Sequence, residues 1–256
     1  MHLSHSVSQY IKQLNWIVVV FTLLVFFGLI KLGLWQSERA NEKEERLTKI
    51  ERLKNQDSIP LENINELFQS GEDINDLPVR TRGIFDAHQF FLLDNQTNSG
   101  RLGYRVLQLV QSTHGLVLVN MGWVQGSVNR AELPDIASVS GEHEFKGNVR
   151  IVDKGITLMA EVYDEVSWPL RVQQIELDKI SQLIGQKLLP FVIYLDKKES
   201  IGFEKNWQPI VMPPEKHRAY AFQWFGLATA WIVLMISASR WFANNPDKKI
   251  KTIRSD

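Results

Sequence analysis

A histidine and two aromatic residues recur at helical spacing near the carboxyl-terminal end of the sequence. His217, Tyr220 and Trp224 stand at i, i+3 and i+7, so a helix places them on one face. Ala221 and Ala228 share that face, and their small size leaves room for a flat apolar group. Neutral imidazole ligates metals, so His217 is a candidate metal ligand. The competing interpretation is that the three rings anchor the chain at a membrane surface, where such amphipathic side chains are common.

Two prolines predict where this helix begins. Proline suits the first helical position, so the helix is expected to start near Pro214 or Glu215, with His217 in its first turn. The partial positive charge at a helix amino terminus disfavours the imidazolium ion, and a partly dehydrated position acts in the same direction. Both effects favour the neutral imidazole that metal ligation requires.

Two long apolar segments must position these residues. Residues 16–34 contain only Thr22 and Lys31 as polar interruptions, and residues 219–239 contain one glutamine, Gln223. Each is close to the roughly 20 residues that cross a bilayer core. A cleaved signal peptide is the alternative for the first segment, but no small-x-small cleavage site follows it. A buried core helix is the alternative for the second, but its length and the basic tail that follows oppose this. The sequence therefore predicts two membrane-spanning helices. Gly226 and Ala230, four residues apart, are expected to let the second helix pack closely against Gly28 or Gly33 of the first.

The predicted organisation has six parts, and its flanks indicate an orientation. We expect a tail over 1–15, a transmembrane helix over 16–35, a helical stalk over 36–58, a β-rich domain over 59–213, a second transmembrane helix over 214–240 and a basic tail over 241–256. Short basic flanks remain on the cytoplasmic side of a membrane. The basic residues of these flanks are Lys12, Arg240, Lys248, Lys249, Lys251 and Arg254. We therefore expect a multi-pass protein of the cell inner membrane with its large domain on the periplasmic side.

Between the two spans the hydrophobic period changes from helical to strand-like. Residues 37–55 contain no glycine or proline and carry favourable i,i+4 pairs, which predicts a continuous helix. Alternating segments rich in branched and aromatic residues follow, with turn-like NQTNSG and STHG between some of them and a short helix over 178–188. The strand-like segments are VRTRGIF, HQFFLLD, YRVLQLVQ, LVLVNMGWV, FKGNVRIV and PFVIYLD. The fold class expected is a membrane protein whose two helices flank an α+β domain built as a small barrel or curved sheet.

Composition and motifs argue against several function classes. The chain has 29 basic and 29 acidic side chains, and we expect no nucleic-acid binding because that function usually needs a concentrated basic surface. It has no cysteine, which removes disulfides, thiolate metal sites and covalent haem attachment. The sequence contains no G-x-S-x-G elbow and no phosphate-binding loop. We therefore expect no enzyme, and a membrane-tethered enzyme with an unrecognised active site remains as an alternative.

Four stretches resemble the surfeit-locus-one (Surf-one) family of cytochrome c oxidase assembly proteins, in its bacterial branch. They are LGLWQSERANEK from residue 32, VRTRGIFD from residue 79, GYRVLQLVQSTHGLVLVNMGWV from residue 103 and KHRAYAFQWFGLA from residue 216. Their order and their spacing to both spans are similar to the family pattern. One departure is Met121, which stands where the family often has arginine, so any contribution of that arginine to a partner surface is in doubt.

The resemblance implies an assembly chaperone of the respiratory chain that builds haem–copper oxidases. It implies transient binding of haem a, with His217 in the place of the family's proposed iron ligand and Tyr220 and Trp224 lining the site. On the first span, Trp35, Gln36 and Arg39 would close the other side, with Arg39 meeting a haem propionate; interfacial anchoring is the alternative for Trp35 and Arg39. The implied partners are the oxidase catalytic subunit, the haem a synthase and the lipid bilayer. The alternative function is a membrane-anchored scaffold that stabilises oxidase subunits without binding haem.

Overall fold

The computed structural model describes residues 16–127, 129, 132–152 and 166–244. Residues 1–15 and the basic residues after 244 lie outside the described part, and with them most of the two predicted tails. The chain forms two compact units. One comprises the residues up to Thr48 together with those from Ile210 onwards, and the other comprises Lys49–Pro209.

Among the described residues, four helices follow the expected apolar and charged segments. They are α1 (Trp16–Leu53), α2 (Leu61–Gln69), α3 (Leu177–Ile184) and α4 (Pro214–Asn244). α1 passes from its apolar half into its charged half without a break, because no glycine or proline occurs between Leu34 and Ile59. α1 and α4 are both long and apolar enough to cross a membrane. α3 ends at Gly185, whose φ of 68° is the left-handed conformation common after a helix, so the prediction of a helix to residue 188 was too long.

Within the described residues of the Lys49–Pro209 unit, seven strands form one sheet. They are β1 (Ile59–Pro60), β2 (Pro78–Asn98), β3 (Arg101–Ser112), β4 (Gly115–Gln125), β5 (Gly141–Arg150), β6 (Leu170–Val172) and β7 (Leu188–Leu195). Five of them close on themselves in the order β2–β3–β4–β7–β5, because β5 pairs with residues 78–85 of β2 while β3 pairs with β2 from residue 83 to residue 98. The closed ring is a small barrel, and the predicted fold class is confirmed.

β2 corrects the prediction of two separate strands. VRTRGIF and HQFFLLD belong to one strand of 21 residues, with a register shift against β3 between Phe85 and Phe90. At this shift Asp86 Oδ1 accepts hydrogen bonds from the backbone N–H groups of His88 and Gln89, at 2.8 and 3.1 Å. The side chain therefore satisfies backbone groups where the ladder is interrupted, and the chain bends without leaving the sheet.

Alternate residues of the barrel strands enter two hydrophobic clusters. Val106 and Val110 of β3 belong to the inner cluster, which draws on all five barrel strands and on α2. Leu107 and Leu109 belong to the outer cluster, which is covered by α3 and β6. This alternation is the period of two expected of a strand with both faces covered.

Met121 lies inside the barrel. Its side chain is fully buried in the inner cluster. The position at which this chain departs from the family's arginine is therefore a core position here and contributes nothing to an exposed partner surface.

Candidate functional site

His217 lies in the first turn of α4, as predicted. α4 begins at Pro214, where the missing N–H of proline costs no intrahelical hydrogen bond. His217 is 8 % exposed and Pro214 is also buried, so one side of this first turn is covered by protein. The local sequence therefore places the imidazole in a partly enclosed position.

The covering group is Gln36 of α1. His217 Nδ1 lies 2.7 Å from Gln36 Oε1. Since the amide oxygen is an acceptor, this geometry assigns the imidazole proton to Nδ1, which donates to Gln36. Within the described part of the chain Nε2 has no hydrogen-bond partner, and it is not among the buried polar atoms left without one. The nitrogen with the free lone pair therefore reaches the surface of the helix pair.

The face of α4 that carries His217 packs against α1. Ala221 and Ala228, one and three turns further along, are 5 % and 1 % exposed. Gly33 of α1 lies against the ring of Phe225, so closely that a Cβ at Gly33 would stand 2.5 Å from that ring. The expectation of free space for a flat group beside these alanines was wrong, because the neighbouring helix fills it.

Aromatic contacts continue this packing along the two helices. Trp231 Nε1 donates to the backbone oxygen of Thr22 at 3.1 Å. The ring of Trp231 also meets Phe21 edge to face, with centroids 6.3 Å apart. These contacts hold the helices together over more than the turn that carries His217.

The predicted site residues divide into two groups. His217 and Gln36 are in direct contact, whereas Trp35 and Tyr220 are 46 % and 43 % exposed and Trp224 is half-buried. The exposed rings present apolar surface outside the helix–helix contact. These rings, unlike the alanine face, therefore remain accessible on the helix pair.

Arg39 is already engaged. Its Nη1 lies 2.6 Å from Glu42 Oε2 on the same helix, and its guanidinium stands 5.9 Å from the centroid of the Trp35 ring. Its side chain is 47 % exposed, so water competes with this ion pair. Another carboxylate, such as one on a bound ligand, can therefore replace Glu42 without a large loss.

One ion pair at this site was missed from the sequence. Arg218 Nη2 pairs with Glu44 Oε2 and thereby links the first turn of α4 to α1. Other charged residues lie within a few positions of each, so charge alone does not identify the partner. No local signal in the sequence distinguishes a partner 174 positions away.

Two proposed close contacts between the spans are absent from the described helices. Gly226 and Ala230 are exposed, and a Cβ built at Gly226 or Gly28 meets nothing within 4 Å. Close approach occurs at Gly33 alone among the glycines of α1 and α4, and its partner is an aromatic ring. Packing of one glycine against a large side chain replaced the expected contact between small residues.

The site therefore couples a buried histidine to a glutamine on a second membrane-spanning helix. In the described part of the chain no group of three or more acidic, histidine or cysteine side chains is arranged to hold a metal ion. His217 offers one nitrogen, which is the donor set of an axial ligand rather than of a protein-only metal centre.

Comparison with known proteins gives the chain a family. None of the curated proteins matches its sequence. A family model described as the SURF1 family matches residues 23–229, which is most of the chain and includes both the α1 and the α4 parts of the site. The chain therefore belongs to the SURF1 family, membrane proteins with a role in the assembly of cytochrome c oxidase.

Proposed function

We propose that this protein is a non-enzymatic assembly factor that binds haem a transiently and aids its insertion into the catalytic subunit of a haem–copper oxidase. The observation that carries the proposal is the hydrogen bond from His217 Nδ1 to Gln36 Oε1 at 2.7 Å. A ligating histidine commonly donates its second nitrogen to a fixed acceptor, which orients the ring and makes the free nitrogen a better donor to a metal.

The residues present fit haem a as cargo held at one axial position. His217 supplies the nitrogen, and the exposed rings of Trp35 and Tyr220 supply apolar surface on the outside of the helix pair. A single protein ligand and an open, lipid-facing surface favour weak and reversible binding. Such binding suits a carrier that must release its cargo to another protein.

The charges around the site support the same role. Arg39 and Arg218 are half-exposed cations whose partners are the half-exposed carboxylates Glu42 and Glu44. Haem a carries two propionates, and a guanidinium binds a carboxylate through paired hydrogen bonds. We expect Arg39 to exchange Glu42 for a propionate when haem a is bound.

We also propose the cell inner membrane as the location, with the Lys49–Pro209 unit on the periplasmic side. The support is the number of basic residues in the short flanks outside the two spans, counted under the positive-inside rule. The oxidase catalytic subunit and the haem a synthase are the protein partners that this role requires.

A scaffold that never holds haem is the second candidate function. The observation in its favour is the filled helix–helix contact at Ala221, Ala228 and Gly33, which forms no cleft for a ligand. In that case His217 and Gln36 would only fasten the two helices together.

One spectroscopic experiment separates the two functions. The detergent-purified protein, co-produced with the haem a pathway, is compared by visible absorption with His217→Ala and with His88→Ala, an exposed histidine of the domain. Haem a in the parent and in the His88 variant, with loss in the His217 variant, supports the carrier. Absence of haem from all three, with oxidase assembly still dependent on the protein, contradicts the carrier and leaves the scaffold.

A further inference from the structure

Three polar residues of neighbouring strands, Arg105, Asn120 and Tyr194, lie on the outer face of the barrel. Arg105 of β3 shares a face with Leu107, because the two are separated by one residue. Leu107 pairs with Asn120 of β4, and Asn120 pairs with Tyr194 of β7. The three side chains thus form a polar strip that continues the outer hydrophobic cluster towards one end of the barrel.

Arg105 carries a charge that nothing in the described chain neutralises. Its Nε donates to Gln96 Oε1 at 3.3 Å, and its Nη1 is buried without a hydrogen-bond partner among the described residues. Burial lowers the pKa of Arg105, and the opposing influence comes from the Tyr194 hydroxyl rather than from a carboxylate. A buried guanidinium without an anion is costly, so the position is suited to an anion supplied from outside.

Asn120 and Tyr194 add two more donors to the strip. Asn120 Oδ1 accepts from the backbone N–H of Gly122 at 3.0 Å, while its buried Nδ2 makes no hydrogen bond to the described residues. Burial is the largest influence on the Tyr194 hydroxyl and raises its pKa, and the neighbouring Asn120 side chain opposes this shift, so the phenol keeps its proton at neutral pH. A protonated hydroxyl can donate, and both side chains therefore offer N–H or O–H groups to an acceptor.

The neighbouring cation, Arg150, has a carboxylate partner, unlike Arg105. Arg150 Nη1 lies 3.1 Å from the buried Asp76 Oδ1, which neutralises its charge. Its guanidinium stacks 5.3 Å from the centroid of Trp207, and the Trp207 ring packs on Tyr194 with centroids 4.8 Å apart. The strip thus holds one unmatched positive charge beside an aromatic wall.

Trp207 belongs to a segment that can give access to the strip. Residues 205–208 form neither helix nor strand, and the backbone N–H of Asn206 donates to the backbone oxygen of Glu204, just before the segment, at 3.0 Å. Asn206 Oδ1 is also buried without a hydrogen-bond partner among the described residues. A segment with few backbone bonds and an unsatisfied polar atom opens at lower cost than the barrel strands do.

We propose that Arg105, Asn120 and Tyr194 form a carboxylate-binding site on the domain. A carboxylate carries one negative charge, which neutralises the guanidinium of Arg105. Its two oxygens can accept hydrogen bonds from Arg105 Nη1, Asn120 Nδ2 and the Tyr194 hydroxyl. The site lies in the Lys49–Pro209 unit and uses none of the residues assigned to haem a, so it stands or falls independently of that function.

The first test measures whether a carboxylate stabilises the domain. The full-length protein in detergent is titrated at neutral pH with sodium acetate in place of chloride, at constant ionic strength, and its thermal unfolding is followed by the β-sheet circular dichroism signal. A ligand that binds only the folded state raises the midpoint in a saturable manner. We expect this rise in the parent and in Arg80→Met, which removes an exposed arginine of β2, and its loss in Arg105→Met.

In a second variant, Asn120→Asp, a side chain of the protein itself provides the carboxylate. Asn120→Asp keeps the oxygen that accepts from Gly122 and replaces the unpartnered amide with a carboxylate oxygen facing the strip. We expect its midpoint without acetate to exceed that of the parent, and its response to acetate to vanish. Because this variant is expected to gain stability, it remains informative even if Arg105→Met does not fold.

A third comparison identifies the source of the carboxylate. A saturating response at lower concentration for N-acetyl-glycyl-glycine than for acetate assigns the site to a polypeptide carboxyl terminus, whereas equal responses assign it to small free carboxylates. A parent that shows no saturable response, or an Asn120→Asp variant less stable than the parent, overturns the proposal. In that outcome the unpartnered atoms hold an internal water instead.

Discussion

At the scale of single residues, Gln36 decides which nitrogen of His217 is free. Gln36→Leu removes the acceptor 2.7 Å from Nδ1, so neither the proton position nor the ring orientation remains fixed. Loss of such an outer partner typically weakens metal binding about tenfold or more. We expect haem a to remain detectable in this variant but to dissociate at least about tenfold more readily, as measured by transfer to apomyoglobin.

Gln223→Leu is the matched control, since it removes an exposed glutamine from the second span. We expect it to retain haem a as the parent does. Equal haem release from the parent and from Gln36→Leu would show that Gln36 fastens the helices and has no influence on the ligand.

Asp76 shows how burial affects the contribution of an ion pair to the free energy of unfolding. It is 4 % exposed in its pair with Arg150, and its backbone φ of 68° is one that asparagine also tolerates. Asp76→Asn leaves a partly buried guanidinium without its counter-charge, and we expect a loss of about 2 kcal/mol in the free energy of unfolding. Denaturant unfolding of the full chain measures this loss.

The control is Glu51→Gln, which breaks a pair between the last turn of α1 and Lys54, just beyond it, where both side chains are largely exposed. Exposed pairs contribute about 0–1 kcal/mol. Equal losses in the two variants would contradict the assignment of Asp76 to a buried, energetically important pair.

At the scale of elements, Gly33 sets how closely α1 and α4 pack. Gly33→Leu forces a side chain into the space of the Phe225 ring, and overpacking of this kind costs about 1–3 kcal/mol. We expect a lower thermal midpoint of the helix pair in detergent, and partial recovery when Phe225→Ala is added. Gly28→Leu serves as the control because its position is open, and we expect no loss there.

Glu176 makes the stability of the segment before α3 depend on pH. Its hydrogen bond to Lys179, at 2.7 Å, holds its pKa below the ordinary value of 4.5. A carboxyl group with a lowered pKa in the folded state stabilises the fold above its unfolded pKa, and this contribution is lost as the pH falls through the folded pKa. We expect Glu176→Gln to lower the midpoint slightly at neutral pH and to have no effect in acid; an equal effect at both pH values would contradict the pairing.

Helices were predictable from the sequence where a single local feature determines their extent or their start. α1 follows from a run without helix breakers, and the start of α4 follows from Pro214. β2 was divided in two because the strand-like pattern is interrupted at Asp86 and Ala87, whereas the Asp86 carboxylate satisfies the backbone within a bent strand. Local sequence does not show that a side chain will replace a ladder partner.

At the scale of the whole molecule, long-range packing limited what the sequence could predict about the site. Both His217 and Gln36 were named, yet the bond between them spans 181 positions. The alanine face was taken for free space because the sequence does not show which helix face meets its neighbour. Phe225 against Gly33 fills that face, and this contact moves the proposed haem surface to the exposed rings of Trp35 and Tyr220.

The orientation of the protein across the membrane is a property of the whole chain. The chain contains no cysteine, so a single introduced thiol reports its own side of the membrane without background. Lys187→Cys places the thiol on an exposed position of the domain, and Ser255→Cys places it in the carboxyl-terminal tail. We expect a membrane-impermeant maleimide added to intact spheroplasts to label the cysteine at position 187 and to leave the one at position 255 unlabelled until detergent opens the membrane, because the basic tails stay inside.

The cysteine-free parent is the control and remains unlabelled in both conditions. The reverse pattern would place the domain in the cytoplasm, which would exclude insertion of haem a from the periplasmic side while leaving the helix-pair site of His217 and Gln36 intact.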